Sequence, residues 1–252
     1  MEPLEQYQQD FLWAAYFGIT RTEATREPNK CVDKCIDRAY LDLNRTIHYR
    51  LSAAKLAEKK KKTSSDEEKE QAKDFECLKS TFRDEVREYL EGRIESLFSK
   101  QEVTEEWFDK EWHKLTCEKI KEIANKNHPD LLESGKPFTF GQSQKWVNMT
   151  LKYLLVMNVE GIEGIVGFLH VPIDSYILKA AKKKGMIRET AEVSGLGVSP
   201  TFKEPWSSLD EPYEYLEYQK KIRAAMEGVG EECPIFWEGR AWIAQAEEEE
   251  LS

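Results

Sequence analysis

Apolar side chains recur at helical spacing along most of this 252-residue chain. The clearest example is the stretch 72–99, whose apolar residues are Phe75, Leu78, Phe82, Val86, Tyr89, Leu90, Ile94 and Leu97. Such spacing is typical of an amphipathic helix that buries one face. Strand-like alternation is scarce, and glycine and proline are concentrated between the helical stretches. We therefore predict an all-α fold.

Composition limits the classes of function that such a fold can serve. Hydrophobic residues make up 40% of the chain, which is enough for a sizeable core. The net charge of -10 argues against broad, nonspecific nucleic-acid binding but permits a local basic surface. No run of about 18 apolar residues occurs, and the acidic segment 1–13 does not resemble a signal peptide. We expect a soluble intracellular (cytoplasmic) protein with no membrane partner.

The cysteines indicate neither a disulfide framework nor a cofactor site. They are five and scattered: Cys31, Cys35, Cys77, Cys117 and Cys233. An odd, scattered set does not suggest a disulfide framework. The ligand spacings of zinc and iron–sulfur sites are also absent. The sequence therefore indicates no metal and no organic cofactor, and it leaves the oligomeric state open.

A charge-dense interruption near 59–71 divides the chain. It begins with four lysines, and we expect an exposed loop or a flexible linker there. The predicted organisation is a helical N-terminal region 1–130, a second helical region 131–246 and an acidic tail 247–252. Within the second region, the glycines and prolines of 190–205 predict a loop.

Lys145 is the first candidate for chemistry. It follows the turn-like stretch 141–144 and should lie in the first turn of a helix. A cation there faces the positive end of the helix dipole, and the neighbouring Trp146 and Val147 can desolvate it. Both effects favour a neutral, nucleophilic amine. An exposed helix lysine is the simpler interpretation of this residue taken alone.

Asp174 is the second candidate. It follows the run Val-Pro-Ile at 171–173, and aspartate is a favoured N-cap for the helix expected to begin next. A carboxylate at a helix start can also stabilise a cationic sugar placed opposite it. A basic cluster follows, and it favours phosphate contact or a solvated helix end about equally. Its members are Lys179, Lys182, Lys183, Lys184 and Arg188.

The order of these residues resembles the helix-hairpin-helix and Gly/Pro/Asp motif of base-excision DNA glycosylases. Gly141 is followed four residues later by Lys145, then by a helix, a connection and a Val-Pro-x-Asp run that ends at Asp174. The sequence is most similar to the archaeal 8-oxoguanine DNA glycosylases (AGOG), which share a long interval between lysine and aspartate. That family also ends with a Pro-Leu-x-x-Asp-x-x-x-Trp pattern, and residues 234–242 here read PIFWEGRAW. The resemblance covers residues 135–245.

The resemblance implies a helix-hairpin-helix glycosylase-like bundle with a cleft between two helical subdomains. It implies that Lys145 is the nucleophile that forms a Schiff base and that Asp174 is the catalytic carboxylate. It implies that Trp242 stacks on the extruded base and that Glu238, where the family has Asp, hydrogen-bonds that base. The expected DNA contacts are Gly141, Gln142, Lys182, Lys183 and Lys184.

The resemblance predicts a DNA glycosylase, with possible AP-lyase activity, that excises an oxidised purine such as 8-oxoguanine. The partner would be DNA containing a damaged or modified base. A non-enzymatic module that kept the fold and binds nucleic acid, a nucleotide or a protein is the main alternative, and the acid-rich composition favours it. A glycosylase for another modified base is a further alternative. Fold alone does not separate these hypotheses.

Overall fold

The computed structural model describes residues 3–61, 63–186, 194–227 and 233–250. It is mostly helical, which confirms the all-α class. The α-helices are α1 (Pro3–Phe17), α2 (Arg21–Arg26), α3 (Pro28–Asn44), α4 (Ala53–Lys59), α5 (Asp66–Phe98), α6 (Glu105–Trp107), α7 (Leu115–Glu122), α8 (Phe140–Val156), α9 (Ser175–Lys182), α10 (Pro212–Glu227) and α11 (Pro234–Glu250). Short π- and 3-10-helical segments lie at Phe108–Lys114, Ile123–Asn127, Pro129–Leu131, Glu163–Phe168 and Trp206–Ser208.

Two short strands are also present among the described residues. Strands β1 (Lys184–Met186) and β2 (Ser194–Leu196) pair antiparallel. Within the described ranges, none of the helices combines the length and the apolar character needed to cross a membrane.

Helix α8 is the centre of the molecule. Every residue from Phe140 to Leu151 is buried. Among the described residues, the contact between α8 and α3 is more extensive than that between any other two elements. Helix α8 also contacts α7 and the Trp206–Ser208 segment. A helix buried on all sides is usually apolar all round. Helix α8 instead carries buried Gln142, Gln144, Lys145 and Asn148, so each of these side chains needs a partner inside the protein.

The start of α8 differs from the sequence prediction. Residues 141–144 are helix, not a turn, because a capping box begins the helix at Phe140. Thr139 accepts a hydrogen bond from the Gln142 N–H (3.2 Å), and the Gln142 side chain accepts one from the Thr139 N–H (3.0 Å). Gly141 serves a close approach instead: its N–H donates to Leu209 O at 2.7 Å, and an added Cβ would lie 1.9 Å from Trp206 O.

Three further expectations are corrected. The charged interruption predicted near 59–71 covers only residues 60–65, because a Ser65–Glu68 capping box begins α5 at Asp66. Lys62 lies outside the described residues. The acidic tail is helical as far as Glu250, since α11 continues through it, and 251–252 are not described. The predicted loop 190–205 contains β2. Residues 190–193 and Arg188 lie outside the described residues.

The N-terminal region and the second region share one hydrophobic core. Trp146 of α8 donates its indole N–H to Ile36 O of α3 at 3.0 Å, and its ring packs against Tyr40 and Phe82. The boundary near residue 130 falls inside the 3-10 segment Pro129–Leu131, whose Leu131 belongs to this shared core.

We expect Gly141→Ala to destabilise the protein by about 1–3 kcal/mol, the usual cost of overpacking, because the new methyl group would push the 206–209 backbone away from α8. Gly92→Ala is the matched control, since Gly92 lies in α5 with open space around it. That control should gain roughly 0.5–1 kcal/mol, the helical preference of alanine. Urea unfolding measures both, and equal stabilities would refute the close-approach role.

Candidate functional site

One large cavity, of about 710 Å³, lies where α8, α9 and α11 face α1 and α3. We call it the α8 cavity. Helix α8 contributes a single face to it, spaced at i, i+4, i+7, i+8 and i+11: Lys145, Met149, Lys152, Tyr153 and Val156. Aromatic side chains from other elements supply much of the remaining wall: Trp13, Tyr16, Phe17, Tyr176, Trp206 and Trp242. A largely apolar cleft with a few polar groups is typical of a small-molecule or base-binding site.

Lys145 and Asp174 meet in this cavity. The Lys145 Nζ lies 2.7 Å from Asp174 Oδ2, and the two side chains are only 7% and 11% exposed. The other carboxylate oxygen accepts the Ile177 N–H at 2.9 Å, so Asp174 also caps α9, as expected. Lys145 lies in the second turn of α8 rather than the first. The predicted position in the first turn is therefore wrong, and Lys145 lies beyond the turn within which the helix dipole mainly acts.

A second lysine–carboxylate pair lies beside the first. The Nζ of Lys152, two turns beyond Lys145, is 2.6 Å from Glu238 Oε2. Glu238 is 1% exposed, and its Oε1 has no hydrogen-bond partner among the described residues. Burial raises the pKa of the Glu238 carboxyl, an effect that the charges of Lys152 and Lys145 partly offset. The cavity thus holds a buried acceptor with unused capacity.

Trp242 lies one turn after Glu238 on α11 and stands at the mouth of the cavity, 38% exposed. Its ring packs against Tyr176 of α9, with centroids 5.3 Å apart and planes inclined by 38°. Trp237, by contrast, is a core residue. Four of the five residues that carried the resemblance, Lys145, Asp174, Glu238 and Trp242, therefore line one cavity, whereas Gly141 does not.

The expected DNA contacts do not all reach the surface. Gly141 is buried, and Gln142 is buried with its amide donating to Thr46 O at 2.5 Å. Neither has a surface to offer a phosphate, so we no longer expect DNA contacts from them. Lys182 is exposed at the end of α9, and Lys183 pairs with Glu248 of α11. Lys184 begins β1.

Sequence reasoning missed the wall formed by α3. The Tyr153 hydroxyl donates to Asp42 Oδ2, and it also forms a 2.9 Å hydrogen bond with the Tyr16 hydroxyl. The Arg38 guanidinium covers the Tyr16 ring, with 3.9 Å to its centroid. Arg45 is exposed at the cavity and makes no ion pair with any described residue. Helical spacing from Lys145 could have indicated Lys152 and Tyr153, but nothing in the sequence places α3 opposite them.

Behind α8 lies a buried polar network. Asn148 donates to Gln144 Oε1 (2.9 Å) and to the Tyr215 hydroxyl (2.7 Å), and it accepts from His113 (2.8 Å). The Tyr215 hydroxyl also bonds His170 at 2.9 Å, and burial lowers the pKa of His170 to about 4. In the part of the chain that the structure describes, no group of three or more His, Cys, Asp or Glu is placed to hold a metal ion.

The Lys152–Glu238 pair yields a pH-dependent prediction. Lys152→Met leaves Glu238 buried without its cation and should cost roughly 3 kcal/mol at pH 7. The folded-state pKa of Glu238 is already raised, so the folded form takes up the proton before the unfolded form does. The loss should therefore shrink as the pH is lowered from 7 to 5.

The matched control is Lys152→Met combined with Glu238→Gln, which removes the titrating group. The double variant should recover stability at pH 7 and lose this pH dependence. Urea unfolding at the two pH values measures all the variants. A Lys152→Met loss of equal size at both would contradict the account.

No family model, no curated protein and no solved structure matches this chain. The features of the site that bear on function are two lysine–carboxylate pairs, Lys145–Asp174 buried and Lys152–Glu238 partly buried, in one aromatic-lined cavity.

Proposed function

We propose that this protein is a DNA glycosylase of the helix-hairpin-helix class, with AP-lyase activity, that excises a modified base through a lysine Schiff base. The observation that carries the proposal is the 2.7 Å approach of Lys145 Nζ to Asp174 Oδ2, 29 residues apart, inside the α8 cavity. An amine beside a carboxylate in a cleft sized for a small molecule is the equipment that this reaction needs.

The two members of the pair have different tasks in this chemistry. Asp174 Oδ2 is close enough to accept a proton from the Lys145 ammonium, which frees the nitrogen lone pair. As the bond from C1′ to the base breaks, its electrons leave with the base. The base takes up the proton that Asp174 received from Lys145, so Asp174 is again a carboxylate. The carboxylate stabilises the positive charge that develops on the sugar. The lysine nitrogen then bonds C1′, and opening of the sugar ring gives the Schiff base. Elimination of the 3′ phosphate from that intermediate is the lyase step.

Recognition of the base falls to the other residues of the same wall. Extruding a base costs a few kcal/mol, and stacking on the Trp242–Tyr176 pair would return about 1–3 kcal/mol. Glu238 Oε1 would accept an N–H of the base, while Lys152 would donate to a neighbouring carbonyl oxygen. Adjacent N–H and C=O groups are what the five-membered ring of 8-oxoguanine offers, which is why we propose an oxidised purine.

A binding module remains the second candidate. Lys145 and Asp174 neutralise each other, and Asp174 already has a structural role as the cap of α9. Such a pair can hold two helices together without doing chemistry. The acidic charge of the protein also favours a partner that is not a long stretch of duplex DNA.

Borohydride trapping distinguishes the two candidates. Incubated with duplexes that each carry one lesion and then reduced, the protein should form a covalent DNA adduct that Lys145→Gln does not form. Lys152→Gln should release base slowly but still trap DNA that already contains an abasic site, because no base must then be recognised. Asp174→Asn keeps a good N-cap and should slow base release about 100-fold or more. Absence of adduct and of base release across the lesion panel would favour the binding module.

Salt dependence of DNA binding tests the mouth of the cavity. Arg45 is exposed there without a charge partner among the described residues, so it is placed to meet a phosphate beside the extruded nucleotide. Arg45→Gln should lower the slope of log binding constant against log salt concentration by about 1. Arg50→Gln is the control, since Arg50 is exposed but does not line the cavity. Fluorescence anisotropy measures both slopes, and equal changes would remove Arg45 from the interface.

A further inference from the structure

The segment 171–174, which delivers Asp174, is held by two glutamine side chains. Gln219 of α10 donates to Val171 O (2.8 Å) and accepts from the Val171 N–H (3.1 Å). Gln144 of α8 donates to Ile173 O (3.0 Å) and accepts from the Ile173 N–H (3.3 Å). Each amide therefore satisfies both backbone polar groups of one residue, as a neighbouring strand would.

The double hydrogen bond between Gln144 and Ile173 lies directly beside the Lys145–Asp174 ion pair. Gln144 immediately precedes Lys145, and Ile173 immediately precedes Asp174, so the two contacts form successive rungs with the same 29-residue separation. A shift of the Ile173 backbone moves the next residue in the chain by a comparable distance. The Gln144 rung therefore restrains where the Asp174 carboxylate meets the amine.

Gln144 is itself held by neighbouring groups and does not line the α8 cavity. Its Oε1 accepts a second hydrogen bond, from Asn148 Nδ2 (2.9 Å), which sets the amide so that its nitrogen faces Ile173 O. The side chain is buried and does not line the α8 cavity. Because it is buried and lies outside the cavity wall, it acts through its neighbours and not by touching a substrate.

We propose that Gln144 is a positioning residue, which sets the geometry of the Lys145–Asp174 pair through its double hydrogen bond to Ile173. The inference rests on the proposed glycosylase function for its catalytic consequence. Its structural content, the restraint on Asp174, stands apart from that function. A misplacement of about 1 Å in a reacting group can lower a rate about 100-fold.

Gln144→Met and Gln219→Met make a matched pair. Both glutamines are 1% exposed, and both clamp one residue of the same segment through two hydrogen bonds. Methionine keeps the approximate length and removes the amide. We expect similar losses of stability from the two variants. Only Gln144→Met should slow single-turnover base release, by roughly 10- to 100-fold, without changing the affinity for lesion DNA.

A second readout does not need activity. The Ile177 N–H donates to Asp174 Oδ1 at 2.9 Å, so its hydrogen exchange reports on the position of that carboxylate. Exchange at Ile177, normalised to the stability of each variant, should quicken in Gln144→Met and not in Gln219→Met. Gln144→Asn, which keeps a shortened amide, serves if the methionine variant does not fold, and it should show the same two effects.

The possible outcomes are distinct. Equal slowing by the two methionine variants, or an unchanged rate in Gln144→Met, would overturn the positioning role. If the unmodified protein releases no base from any lesion, the proposed function fails, and Ile177 exchange then decides the positioning role alone. Exchange that quickens equally in both variants would overturn the role in that case.

Discussion

Burying the charge of a lysine side chain in the central helix of a protein is costly unless an anion lies beside it, and Asp174 supplies that anion to Lys145 here. Burying two charges is costly, and their attraction repays the cost only where geometry is good and the remaining polar atoms are bonded. Asp174 satisfies its second oxygen with the first turn of α9. The pair therefore fixes the start of α9 relative to α8, and α9 in turn contacts α11. The wall of the α8 cavity is built outward from this contact.

The surrounding polar groups are arranged in layers around the pair. Gln144 lies one residue before the lysine and ties down the residue before the aspartate. Asn148, one turn later, orients Gln144 and joins it to the buried histidines. On the cavity side, Lys152 and Glu238 form a second charge pair next to the first. Buried polar networks of this extent are costly unless their members are satisfied. Glu238, whose Oε1 has no hydrogen-bond partner among the described residues, lines the cavity.

The sequence predicted much of this site, and the misses have physical causes. Helical periodicity indicated the all-α class because it depends only on local spacing. The resemblance selected Lys145, Asp174, Glu238 and Trp242, which all line the cavity, although their roles in catalysis and base binding remain predictions. The predicted turn at 141–144 was wrong because the Thr139–Gln142 capping box, a local signal, begins α8 at Phe140. The role of Gly141, a close approach to Trp206 O, depends on tertiary packing that local sequence does not reveal.

Other parts of the site depend on how distant elements pack. Asp42 and Arg45 reach the cavity only because α3 lies against α8. The glutamine clamps join residues that are 29 and 48 positions apart, and a glutamine within a helical pattern gives no sign of such a partner. The length of α11 was underestimated because a run of glutamates suggests a solvated tail, although glutamate is also a good helix former.

The most direct test of the central claim is to locate the covalent bond. After borohydride reduction with lesion-bearing DNA, the protein would be digested and the peptide that carries the nucleotide remnant sequenced by mass spectrometry. The account predicts a single modified residue, Lys145. A remnant on Lys152, on the N-terminal amine or on surface lysines, or no remnant with any lesion, would contradict it.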